Sequence, residues 1–134
     1  MLTLSLFIST LNANQTKKEI QKELERSVIT MKKHLPNKIN KYLEASHNEV
    51  EGMTYITHYY TYLTKDKNLE KAKKEINKFQ NKIIVGTCSD EYRRNLMDKY
   101  DVSFKFDFMD EFGKLSGFEL NEKQCQEFGI TVKK

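Results

Sequence analysis

An α+β domain is the fold class this sequence predicts: an N-terminal amphipathic helix and two further helices packed on an antiparallel β-sheet of about four to five strands, with one disulfide. Three observations carry that expectation. Apolar residues recur at helical spacing in two long stretches; they alternate with polar residues in an aromatic segment near the C-terminus; and the chain holds only two cysteines, Cys88 and Cys125. The chain has 134 residues, a length that suits one domain with its own core. The division expected is a leader over residues 1–13 and a single α+β domain over 14–134.

Residues 1–13 read MLTLSLFISTLNA, an uncharged apolar run about as long as the apolar region of an export signal and closed by small and polar residues. Export to the periplasm or beyond is the natural reading, with an apolar first strand or helix as the alternative. A run of roughly 10 apolar residues is too short to cross a bilayer as a helix. Charged residues make up 31% of the chain, so the body reads as water-exposed and no stable membrane insertion is expected.

From Thr16 the spacing becomes helical. Ile20, Leu24, Val28, Met31 and Leu35 follow one another at steps of four and three, with charged residues between them. Thr16 and Glu19 have the spacing of a capping box, and Pro36 ends the helix because it has no N–H to donate and its ring clashes with the preceding turn. Residues 39–63 then change period and carry many Tyr, Thr and Ile, with a turn at Glu51-Gly52, which predicts two antiparallel strands. In the second of them Tyr55, Thr57, Tyr59 and Thr61 alternate with Ile56, His58, Tyr60 and Tyr62. Both faces of that strand are therefore aromatic, as a core face or a docking platform would be. Tyr55, Tyr59, Tyr60 and Tyr62 are accordingly the candidate partner-binding residues.

Residues 68–85 return to helical spacing through Leu69, Ala72, Ile76, Phe79 and Ile83, and Gly86 suits the left-handed position just past a helix end. Ser89, followed by Asp90 and Glu91, is the expected cap of a short third helix on which Tyr92, Leu96 and Tyr100 share a face, leaving Cys88 between two helices. Farther on, Val102, Phe104, Phe106 and Phe108 alternate with Ser103, Lys105 and Asp107 before a turn over residues 109–113, and the return strand places Phe118 and Leu120 on one face.

With two cysteines, no CxxC and no His at metal-ligand spacing, neither a metal site nor a cofactor is expected. A Cys88–Cys125 disulfide accounts better for the pair, and closing that loop would contribute about 4 kcal/mol. The alternative is two buried thiols in a cytosolic chain. Charge is uneven: 15 basic and 9 acidic residues up to Thr87 give +6, whereas 8 and 10 beyond it give −2. The basic residues are nearly all Lys, with only Arg26, Arg93 and Arg94 able to make bidentate phosphate or guanine contacts, so nucleic acid is not the expected partner. His34, His47 and His58 lie far apart in sequence and near no nucleophile elbow, and Asp107, Asp110, Glu111 and Glu119 around the last turn read as solvated acids. No catalytic residue is assigned, and an enzyme is not expected.

Several of these features recur together in known proteins. Leu35-Pro36 is followed by a polar extended segment, Gly52, the strand Tyr60-Thr61-Tyr62-Leu63, Cys88, a short helix with Arg93 and Leu96, the aromatic strand Phe106-Asp107-Phe108, Gly113 in the hairpin, and Phe118-Glu119-Leu120 before Cys125. Over residues 35–128 the chain resembles the small periplasmic proteins that include one class of type II secretion pilotins, and also the quorum-sensing-regulated virulence factor family. The resemblance implies helices on an antiparallel sheet, a Cys88–Cys125 disulfide and no catalysis. Pilotins of that class are lipoproteins that bind a C-terminal helix of the secretin subunit and escort it to the outer membrane. No lipid-attachment Cys follows the apolar segment of this chain, so the lipoprotein route is not carried over.

Two functional expectations result. The first is a non-catalytic, exported binding or escort module that docks a helix or strand of a protein partner in the cell envelope; it predicts an exposed apolar groove of several hundred square ångströms. The second is a secreted, virulence-associated effector or inhibitor that contacts an acidic partner or anionic membrane through the basic helix at residues 68–85.

Overall fold

The computed structural model describes residues 16–62, 69–111 and 113–133. The expected leader at residues 1–13 and the expected helix start at Asn68 lie outside the described residues. Helix α1 spans Lys17–Met31 and runs into a 3₁₀ turn at Lys32–His34. Thr16 caps it as its spacing predicts, its hydroxyl accepting the Glu19 backbone N–H at 3.2 Å. Strands β1 (Asn37–Asn40), β2 (Leu43–Glu51) and β3 (Thr54–Thr61) follow, the last two joined at Gly52, whose φ of +62° suits a residue without a Cβ. The chain continues through α2 (Leu69–Ser89), α3 (Glu91–Tyr100), β4 (Ser103–Asp110), β5 (Gly113–Leu120) and α4 (Glu122–Glu127).

The five strands form one sheet in the order β1-β2-β3-β4-β5. Three pairings are antiparallel, but β3 and β4 run parallel. Parallel neighbours need a long crossover connection, and α2 with α3 supplies it. One face of the sheet carries Leu43, Ala45, Tyr55, Tyr59, Phe104, Phe106, Phe108 and Leu120 into a core with Ile20 and Leu24 of α1, Ile76, Phe79 and Ile83 of α2, and Leu96, Met97 and Tyr100 of α3. Tyr59 stacks on Phe108 at 5.0 Å between centroids and meets Phe79 edge-on at 5.3 Å.

Helix α2 does not stop at Val85. Gly86 lies inside the helix, which continues to Ser89 because the next turn buries Thr87 and Cys88. Cys88 therefore sits on the last turn of α2, and the cap of α3 is Asp90, whose carboxylate accepts the Arg93 N–H at 2.9 Å. Asp107, expected as a solvated acid, is buried at 8% exposure because β3 and β5 flank it on both sides.

Cys88 and Cys125 are bonded across 37 positions, joining α2 to α4. Arg94 closes the same junction without covalent help. Its guanidinium donates to both Glu122 carboxylate oxygens, at 2.7 and 2.8 Å, and to the Cys88 and Ile130 carbonyls at 2.9 and 2.7 Å. Replacing Arg94 by Gln is expected to cost about 2 kcal/mol at pH 7, as charge-assisted hydrogen bonds to half-buried partners do. The Arg94 hydrogen bonds hold the Glu122 carboxyl below its ordinary range. A depressed carboxylate pKa stabilises above the unfolded value and is lost as pH falls through the folded one. Urea titrations should therefore show the difference between wild type and Arg94→Gln narrowing in acid.

Candidate partner-docking cleft

A slot opens between the end of α1 and α2, above the helix-covered face of the sheet. Met31 and Leu35 form one rim, Ile39 of β1 the outer edge and Ile83 of α2 the opposite wall, while Ala45, Tyr55, Tyr59, Phe104 and Phe106 make the floor. Local sequence dictates much of this. Pro36 turns the chain out of α1, so Leu35 and Ile39 project beside the sheet instead of continuing a helical face. The slot holds about 50 Å³ of room for water-sized groups within about 590 Å³ of free space that includes its open mouth. That is enough for a few waters or part of one apolar side chain, and far too little for a cofactor. It is also narrower than the broad groove that the docking expectation predicts.

The polar groups of the slot converge at its inner end. Arg93 is only 8% exposed, yet its contacts are long: Nη1 to Thr87 Oγ1 at 3.4 Å and Nε to Asp90 Oδ2 at 3.8 Å. Burial lowers its pKa, opposed by the Asp90 carboxylate. A buried cation with such weak compensation favours an additional acceptor nearby. The Asn48 amide donates to the Tyr55 hydroxyl at 2.9 Å, and burial raises the pKa of both Tyr55 and Tyr59, so both phenols stay protonated at neutral pH.

Ile39 also borders a second, wider trough of about 470 Å³, lined by Asn37, Lys38 and Asn40 of β1 and by Glu75, Lys78, Phe79 and Lys82 of α2. Three lysines and one glutamate make its walls basic. The apolar slot and the basic trough are thus neighbours along one edge of the molecule.

The four candidate tyrosines do not form one platform. Tyr55 and Tyr59 are core residues that also floor the slot, whereas Tyr60 and Tyr62 lie on the other face of the sheet, ring edge to ring face at 4.9 Å. The alternation in the sequence already separates these pairs. Arg93 stands in the sequence pattern of the third helix without a site role, and nothing local marks it as buried, since its burial comes from the packing of α3 into the core. Among the described residues no helix is long and apolar enough to cross a membrane.

No protein-family model and no curated protein matches the sequence. Solved structures do match. A candidate secreted protein of Pseudomonas aeruginosa is 17% identical, with a TM-score of 0.64 over 85% of this chain and 99% of that one. The type 2 secretion system pilotin EpsS of Vibrio vulnificus is 12% identical, with a TM-score of 0.61 over 82% of this chain and 94% of its own. The type II secretion pilotin AspS of Vibrio cholerae is 12% identical, with a TM-score of 0.59 over 81% and 94%. This chain is similar in fold to the type II secretion pilotins, which bears out the family resemblance at the level of architecture.

Proposed function

We propose that this chain is a non-catalytic, exported, pilotin-like binding module that docks an amphipathic helix of a secretion-system or envelope partner. The observation that carries the reading is the apolar slot beside a basic trough, on a fold shared with two pilotins and a candidate secreted protein. An apolar anchor side chain of the partner enters between Leu35, Ile39 and Ile83. A backbone or side-chain oxygen beside that anchor approaches Arg93, and acidic residues one turn away face Lys38, Lys78 and Lys82. Anchors at helical spacing, with charge on the flank, are the usual means by which a groove reads an amphipathic helix.

The test is a fluorescence titration of the full chain with a labelled peptide from the C-terminal helix of the secretin subunit of the same cell. Saturable binding is expected. Leu35→Glu and Ile39→Glu, which place a carboxylate at the slot's rim, should each weaken it at least tenfold, a change of about 1.4 kcal/mol. Lys78→Glu with Lys82→Glu should weaken it and flatten its salt dependence. Binding unchanged by all four substitutions would place the helix elsewhere, and no binding would remove the secretin from consideration as partner.

A further inference from the structure

The face of the sheet turned away from the helices gathers two histidines that the sequence keeps apart. β2 carries a bulge between Ala45 and His47: Ala45 pairs with Tyr59 but His47 pairs with His58, so Ser46 is the extra residue. That bulge places His47 directly across from His58, and Glu49 lies two residues further along on the same face. The imidazoles stack with centroids 4.2 Å apart and an interplanar angle of 11°. Their Nε2 atoms turn toward one carboxylate oxygen, Glu49 Oε2, at 3.0 Å from His58 and 3.9 Å from His47.

We propose that His47, Glu49 and His58 form a binding site for a divalent transition metal ion of the Zn²⁺ class. One donor atom from each residue lies within 4.8 Å of the other two. Tetrahedral zinc, with donors about 2.0–2.2 Å from the metal, needs them roughly 3.4 Å apart, so the stacked rings tilt toward each other and the donors close by up to about 1.4 Å to share one ion. Two imidazoles and a carboxylate are borderline donors that favour zinc, copper or nickel over magnesium or calcium.

Groups behind the donors fit the same reading. The Ser46 hydroxyl sits 3.0 Å from His47 Nδ1, within hydrogen-bond reach, whereas Asp107 Oδ2 lies 3.9 Å from His58 Nδ1, beyond a hydrogen bond until the ring turns toward it. A ring whose Nε2 binds metal carries its proton on Nδ1, and an oxygen there fixes both tautomer and orientation. Asp107 is the β4 partner of His58, and its burial beside that ring suits the supporting part. His47 and Glu49 are half-exposed, so a fourth position faces solvent for water or a partner's ligand. The ion would tie β2 to β3 and, through Asp107, to β4.

The test is calorimetric titration of the tag-free full chain with Zn²⁺, together with thermal unfolding with and without the ion. One equivalent should bind and raise the melting temperature. His47→Ala, a surface change that leaves the fold intact, and His58→Ala should each abolish the binding and the shift. Asp107→Asn should weaken binding about 10- to 100-fold, and His34→Ala should change nothing. Undiminished binding in His47→Ala and His58→Ala, or no saturable binding by the wild type, would overturn the proposal.

Discussion

Phe108→Ala is expected to destabilise the domain by about 3–5 kcal/mol. Phe108 is 1% exposed in the middle of β4, stacked on Tyr59 at 5.0 Å and facing Phe118 at 6.2 Å. Removing the ring leaves a cavity that its neighbours cannot close. Tyr59 is held by Phe79 on its other side, and β4 is hydrogen-bonded to strands on both edges. Lost transfer energy and lost contact then add, against a total stability of about 5–15 kcal/mol for domains of this kind. Urea unfolding followed by circular dichroism would show the midpoint falling with little change in slope. Phe128→Ala, at a ring 52% exposed, should stay within about 0.5 kcal/mol of wild type.

Replacing both Cys88 and Cys125 by Ala should cost about 4 kcal/mol and lower the melting temperature by roughly 12 °C. The bond closes a loop of 37 positions that contains α3, β4 and β5. In the unfolded chain that closure removes conformational entropy, and its loss is the larger part of the effect. Both sulfurs are fully buried, so the Ala side chains also leave two small voids between α2 and α4. Calorimetry of the double variant against the oxidised wild type measures the sum. A shift of only a degree or two would mean that the Arg94 contacts alone hold the junction.

Elements set by local chemistry were legible in the sequence. Thr16 and Pro36 bracket α1, Glu51-Gly52 marks the β2–β3 turn, and the alternation through Phe104, Phe106 and Phe108 locates β4. Two lone cysteines also sufficed for the disulfide. What the sequence hid depends on distant packing. Gly86 punctuates locally, but burial of Thr87 and Cys88 carries α2 past it. β1 is four mostly polar residues whose existence rests on pairing with β2. Alternation reveals a strand without revealing its direction, so the parallel β3–β4 pairing becomes apparent only once the helices between them are seen as a crossover. The same limit applies to the sites. The slot needs α1, β1 and α2 together, and the His47–His58 pair needs a bulge at Ser46 that no turn residue announces.

Methyl NMR of the full chain, labelled at Ile, Leu and Met and titrated with the secretin-derived helix, tests the docking account most directly. The account predicts saturable shifts concentrated at Met31, Leu35, Ile39 and Ile83 around the slot, with Ile56 on the opposite face of the sheet unmoved. Shifts centred on Ile56 and Met109, with the slot methyls unchanged, would contradict it and assign the open sheet face to the partner.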